Sequence, residues 1–445
     1  MAVFKIKARN HEGTEAEFIY DNMNSTLTDS EGNDLVPMSR KASDHVAFPL
    51  SVDNPAKKRT PRKLKISLGL SCNYSCEYCS QRFVPHSDET NKKDIQPFID
   101  GLDNWVKEPP EVIEFWGGEP LVYIKTLKPL AEALRAKYPD TQFSMVTNGS
   151  LLNPELNDWL VEYGFSVGIS HDAMGQPVRG PDPFEDDEAR EGIIDLYRKL
   201  KPMDSISFNT VLHKDNASRA DIQQYWVERF GESVVIGEGS FIDPYDEGGA
   251  ANSLNNKAEQ IAYRIKAFEE LRTGRVAKFY SVTMKMRDFM NSLSTRRSAW
   301  SLGQKCGMDE EDNIAVDLNG NVLTCQNVSA VSTAMNGQPH KIGHVDDFEN
   351  IKLNTSTHWS NRPNCKDCPV LQLCKGSCMF LEGDLWYTGC NNAYNDNVPF
   401  LAGSIEAITG FKPYFIDGEK MPEERKDLWT MPEPAPGLIP TVSVS

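Results

Sequence analysis

The chain has 445 residues, a formal net charge of −17, 39% hydrophobic residues and 9% aromatics. No run approaches the roughly 18 apolar residues of a membrane helix, and the start, MAVFKIKARNHEG, lacks the apolar stretch of an export signal. A cytoplasmic protein with no membrane association is expected. The acidic balance argues against nucleic acid as partner, because phosphates need clustered Lys and Arg. The length calls for two or three domains.

Residues 1–60 hold two strand-like runs, FKIKA and EAEFIYD, and a turn at Ser30-Glu31-Gly32-Asn33, which predicts a small β-rich N-terminal module. The basic stretch Lys57–Lys63 that ends it is expected to be a solvated linker. Between 61 and 242, strand candidates at 64–71, 111–118, 142–149, 165–172, 205–212 and 233–241 alternate with helix-length segments. In the segment 124–137, Ile124, Leu127, Leu130, Ala131 and Leu134 stand at helical spacing. Asn153-Pro154 is a helix start, with Asn as N-cap and Pro at the first helical position. Such alternation means an α/β fold of parallel βα units. A doubly wound sheet and a partial barrel both fit, and both place chemistry at the strands' C-terminal ends. Residues 243–300 read as a helical connection, 301–400 as a cysteine-rich segment, and 401–445 as an extension whose Pro-rich end is extended or disordered.

All ten cysteines lie in two groups, three at 72–79 and seven at 306–390. In a cytosolic protein such clustering indicates metal sites rather than disulfides. Cys72, Cys76 and Cys79 form C-x3-C-x2-C just after a strand, and thiolates suit iron–sulfur clusters and zinc. Structural zinc commonly takes four ligands, whereas here there are three. Gly117-Gly118-Glu119-Pro120 closes the next strand, and the glycines allow a close approach of backbone to a ligand.

With Tyr78 just before the third cysteine, this pattern resembles the radical S-adenosylmethionine (SAM) superfamily. The resemblance implies a partial (β/α)6 TIM-like barrel over 61–242. It implies a four-iron cluster on Cys72, Cys76 and Cys79 whose open iron binds SAM, and reductive cleavage of SAM to a 5′-deoxyadenosyl radical that abstracts hydrogen from substrate. By resemblance, Tyr78 packs on the adenine and Glu119, following Gly117 and Gly118, accepts from the methionyl ammonium. Asn148, Ser170 and Asp172 stand at strand ends that hold SAM, and Arg179 pairs with its carboxylate. Trp116 is expected in the core and His171 as a satisfied strand-end residue.

The second group, Cys306, Cys325 five residues after Gly320, then Cys365-x2-Cys368-x5-Cys374-x3-Cys378 and finally Cys390, resembles the seven-cysteine SPASM domain, an irregular fold that carries two auxiliary clusters. The resemblance gives Cys365, Cys368, Cys374 and Cys390 to one four-iron cluster and Cys306, Cys325 and Cys378 to the other. Seven thiolates cannot fill eight positions. Relatives that supply the eighth from a sixth residue past the first cysteine have Cys where this chain has Asp312, so Asp312 or an open iron is expected, with the run Asp309–Asp312 otherwise solvated. Sulfatase-maturing relatives carry a basic aspartate after the cysteine matching Cys325. Gln326 stands here, which lowers a formylglycine-forming reading.

The resemblance therefore implies three [4Fe-4S] clusters, SAM, a reductant such as flavodoxin or ferredoxin, and a peptide or protein side chain as substrate, crosslinked by thioether or C–C bond or oxidised. The alternatives are dehydrogenation or rearrangement of a small molecule or nucleotide, and a non-catalytic electron carrier. The sequence is silent on oligomeric state.

Overall fold

The structure is a computed structural model that describes residues 2–40, 57–86, 91–237, 240–276, 279–352 and 358–431. The Pro-rich end from residue 432 lies outside them. Three strands open the chain: β1 (Val3–Arg9), β2 (Glu15–Asp21) and β3 (Thr26–Asp29). Phe4, Ile6 and Ala8 alternate with exposed residues along β1, the period of a half-buried strand. Next come β4 (Lys63–Ser67), β5 (Val112–Trp116), β6 (Gln142–Thr147), β7 (Phe165–Ser170) and β8 (Ile206–Asn209). The cysteine-rich segment contributes β9 (Asn313–Asp317), β10 (Asn321–Leu323) and β11 (Lys341–His344), and β12 (Lys412–Gly418) follows.

Strands β4 to β8 pair in parallel, each with its chain neighbour. With helices between them they make an α/β fold whose parallel sheet is consistent with a TIM-like barrel. Phe115, Phe143 and Phe165 meet across β5, β6 and β7 with ring centroids 5.3–5.5 Å apart, at the centre of the core. The helices Ile124–Lys137 and Pro154–Glu162 start where their sequences indicate, the second with Asn153 accepting from the Leu156 amide.

Two features of the parallel sheet depart from the sequence expectation. Among the described residues, 233–237 and 240–241 form no regular strand; Ile236 and Phe241 join β8 and its loop through parallel bridges to Phe208 and Leu212. Gly237 sits so close to Asn209 that a Cβ there would lie 2.6 Å from its side-chain oxygen, which leaves no room for regular side-chain packing. On the opposite edge, β9 pairs in parallel with β4, and the β9–β10–β11 meander extends the barrel sheet to eight strands. The cysteine-rich segment thus shares a sheet with the barrel. Its hairpin turn uses Gly320 at φ +79°, a left-handed conformation that suits glycine.

The N-terminal strands are completed from the far end of the chain, in the order β12-β1-β2-β3. Asn22 donates to the carbonyls of Lys366 and Cys368 and accepts from Gln372, so this small sheet buttresses the loop that carries Cys365, Cys368 and Cys374.

The basic stretch is not a solvated linker. Arg62 bonds Glu310 at 2.7 Å and Asp312 at 3.3 Å, Lys58 pairs with Glu311, and the buried Lys57 ammonium donates to the carbonyls of Met308, Glu310 and Asn313. The acidic run after Cys306 therefore faces the basic run before β4. Pairing β9 beside β4 brings the two together.

Candidate active site

The candidate site residues cluster at the ends of the parallel strands. The loop after β4 carries Cys72, Cys76 and Cys79, and the turn after β5 carries Gly117, Gly118 and Glu119. The glycines are needed, but the backbone they approach is the cysteine loop. A Cβ on Gly118 would lie 2.3 Å from the Ser71 carbonyl oxygen, and one on Gly117 would lie 2.9 Å from that of Gly69. The Gly118 and Glu119 amides donate to the Gly69 and Ser71 carbonyls at 3.0 Å. The double glycine thus clamps the cysteine loop against β5.

Glu119 is 1% exposed. Oε1 accepts from Thr147 Oγ1 at 2.7 Å and the Leu121 amide at 3.0 Å, and Oε2 accepts from the Asn148 amide at 2.7 Å. Burial pushes its carboxyl above the usual range, and these three donors pull it back. The carboxylate staples β5 to β6, and its oxygens retain lone pairs for a further donor. Asn148 in turn donates to Asn73 at 2.8 Å, tying the cysteine loop to the end of β6.

Tyr78 is buried, and its hydroxyl donates to Asp172 and accepts from Arg179 at 2.9 Å. Asp172 also accepts from the Val211 amide at 2.9 Å and lies 3.5 Å from Arg179. Asp172 is fully buried behind Tyr78 and Arg179, where it orients both. His171 is held by Asp182 at 3.0 Å inside an aromatic cluster with Phe184, Tyr225 and Trp226, a satisfied core histidine.

A cavity of about 880 Å³ opens over these strand ends. Of the residues assigned to SAM, Tyr78, Gly117, Gly118, Glu119, Asn148, Ser170 and Arg179 line it and Asp172 does not. Cys72, Cys76 and Cys79 line it, and so do Cys306, Cys325 and Cys378 from the other end of the sequence. Trp116 is part of the same wall, its indole donating to Asn327 at 2.9 Å beside the Cys325 loop. Cys365, Cys368, Cys374 and Cys390 converge instead on a separate apolar pocket with Val370, Leu371, Trp386 and Tyr394. Asp312, bonded to Arg62, faces neither.

All ten cysteines are free thiols. Among the described residues no three His, Cys, Asp or Glu side chains stand together as ligands of a single metal ion. A four-iron cluster asks for something different, one thiolate on each iron around a cube. The donor chemistry fits such groups. Burial pushes the thiols of Cys76, Cys325 and Cys368 up to about 12 and those of Cys374 and Cys378 up to about 11. Buried thiolates need compensating positive charge, which iron would supply. Cationic side chains already lean on them: Arg179 on Cys76, Lys305 on Cys374, and Arg425 on Cys390, whose sulfur accepts from it at 3.6 Å.

Sequence reasoning passed over Asp243, Tyr245 and Lys305, which also line the large cavity. Asp243 and Tyr245 follow directly on the candidate strand 233–241. The rule that chemistry sits at strand C-termini could have found them.

Residues 66–224 match the family model described as the Radical SAM superfamily, so this stretch is a radical SAM domain, the catalytic unit of enzymes that use a four-iron cluster and SAM. Among curated proteins, the chain is 22% identical over 340 residues to the radical SAM cyclopropyl synthase TigE of Paramaledivibacter caminithermalis, covering 72% of this chain and 68% of that one. It is 30% identical over 166 residues to an S-adenosylmethionine-dependent nucleotide dehydratase of Selenomonas ruminantium, 35% of this chain and 58% of that one. Among solved structures, anSMEcpe with bound AdoMet superposes with a TM-score of 0.55 at 19% identity, over 78% of this chain and 99% of that one, a likeness that shows the fold. Among the described residues no helix is long and apolar enough to cross a membrane.

Proposed function

We propose that the protein uses SAM and three four-iron clusters to abstract hydrogen from a peptide or protein side chain, leaving a crosslinked or oxidised residue. The observation that carries this reading is the shared cavity, in which the Cys72–Cys79 loop, Glu119 and Arg179 face Cys306, Cys325 and Cys378. Cys72, Cys76 and Cys79 would hold the first cluster, Cys306, Cys325 and Cys378 the second, and Cys365, Cys368, Cys374 and Cys390 the third. When bound, the first cluster and SAM supply a 5′-deoxyadenosyl radical. The chain's part is positioning. Glu119 takes the methionyl ammonium, Arg179 the carboxylate, and Tyr78, held by Asp172 and Arg179, walls the adenine side. A substrate admitted between the two open thiol sets would lie within reach of both.

The seven-cysteine spacing and the similarity to a cyclopropyl synthase, which builds new bonds, support a side-chain substrate over an electron carrier. A carrier needs neither Glu119 nor a cavity of this size beside its thiols. The test is incubation of anaerobically reconstituted protein with SAM and dithionite. Formation of 5′-deoxyadenosine, lost in Cys76→Ala, is the expected result; no 5′-deoxyadenosine from protein with full iron content overturns the reading.

A further inference from the structure

The second thiol set has three members for four irons, and the sequence offers either an open iron or Asp312, in the acidic run after Cys306, at the fourth position. The run points elsewhere. Glu310 and Asp312 bond Arg62, Glu311 pairs with Lys58, and Asp309 accepts from the Gln304 amide at 2.7 Å beside His358. None of the four lines the cavity.

Asp243 does. It follows the last parallel bridge of the barrel wall, Leu212↔Phe241, and so reaches the cavity from the strand-end side. One carboxylate oxygen accepts from the hydroxyl of Ser377, the residue before Cys378. The other lies 3.9 Å from the ammonium of Lys305, the residue before Cys306. The carboxylate is thus moored to both chain segments that deliver those cysteines. We infer that Asp243 is the fourth ligand, through oxygen, of the iron–sulfur group held by Cys306, Cys325 and Cys378.

The inference rests on the three-cluster reading above. Carboxylate is a harder donor than thiolate, so this corner of the cluster differs electronically from the other three. Ser377 and Lys305 act as positioning residues that keep the carboxylate aimed.

The experiment uses full-length protein reconstituted with iron and sulfide, read by iron content and by electron paramagnetic resonance after dithionite reduction, with and without 2-mercaptoethanol. Expected are about twelve irons and a wild-type signal unmoved by thiol. Asp243→Ala should shift that signal and make it thiol-sensitive, Asp243→Cys should restore insensitivity with a four-thiolate spectrum, and Asp312→Ala should match wild type. A wild-type signal that already responds to thiol, or an Asp243→Ala spectrum identical to wild type, overturns the assignment while leaving three clusters intact. If Asp243→Ala loses about four irons, Asp243→Cys decides: recovery of twelve supports ligation, and loss in both variants overturns it. Wild-type iron near eight would mean that only two clusters form, which overturns the three-cluster reading and this inference with it.

Discussion

The two cysteine territories of the C-terminal half are built to opposite ends. Cys306, Cys325 and Cys378 share the large cavity with the strand-end loops, walled by a mixture of polar, charged and apolar side chains. Cys365, Cys368, Cys374 and Cys390 converge on an apolar pocket closed by Trp386 and Tyr394, with Arg425 against its sulfurs. The N-terminal sheet braces that pocket through Asn22, and the helix Gly383–Thr409 that carries Cys390 is anchored to the barrel by a buried ion cluster. In that cluster Asp396 takes Arg219 at 2.8 Å, Lys285 at 3.1 Å and the Tyr263 hydroxyl at 2.6 Å. The difference teaches a division of labour: one thiol set opens on the cavity over the strand ends, and the other is enclosed as a structural keystone.

The sharpest test of that division compares two sets of substitutions. Cys365→Ala with Cys374→Ala, and Cys72→Ala with Cys76→Ala and Cys79→Ala, should each remove about four irons. Only the first should lower the melting temperature markedly, by roughly 5 °C or more, because metal binding in a closed site is folding energy. Equal melting temperatures in the two variants would break the comparison.

Asp396→Asn should cost about 3 kcal/mol in urea unfolding, since it removes the buried countercharge that Arg219 and Lys285 share. Burial alone would raise the Asp396 carboxyl, but Arg219 and Lys285 overcome this and hold it well below the usual range. Its contribution is therefore fully present above the unfolded value of about 3.9 and is lost progressively as pH falls from there through the depressed folded value. Wild type should lose stability below about pH 4 more steeply than the variant; parallel acid profiles would count against the cluster as an anchor.

Glu119→Ala should abolish most SAM binding and also destabilise by about 1–3 kcal/mol, because the Thr147 hydroxyl and two amides lose a buried acceptor. Glu119→Gln should recover most of the stability without the affinity. Isothermal titration beside a thermal melt separates the two roles, and normal SAM affinity in Glu119→Gln would remove the ammonium assignment.

The smallest effect belongs to the paired runs behind the cavity. Arg62 is half exposed, so Arg62→Ala should cost at most about 1 kcal/mol and leave iron content unchanged. A loss of iron would mean that the acidic run serves the open thiol set after all.

Much of the site was legible before any coordinates. Strand ends, the three-cysteine loop and Gly117-Gly118-Glu119 are local patterns, and local patterns survive folding. The helix at Pro154 followed from its cap in the same way. The glycines were read as space for a ligand, yet what they admit first is the cysteine loop itself, a contact between segments about 47 residues apart. Asp172 illustrates the other limit. A strand-end carboxylate is visible in sequence, but whether it meets the cavity or stands behind Tyr78 depends on how the next loop packs.

The sequence by itself determined the chemistry: ten thiols at spacings that suit iron, a glutamate after a double glycine, and the alternation that makes parallel strands. These depend only on residue type and short-range order. Tertiary structure alone decided which distant groups meet. It placed β9 against β4 and so set the acidic run on the basic one, gave the N-terminal sheet its fourth strand from residues 412–418, and turned Asp312 outward while bringing Asp243 to the thiols. The physical reason is that register and strand order are fixed by burying one apolar face against another, a property of the whole core that no local window contains.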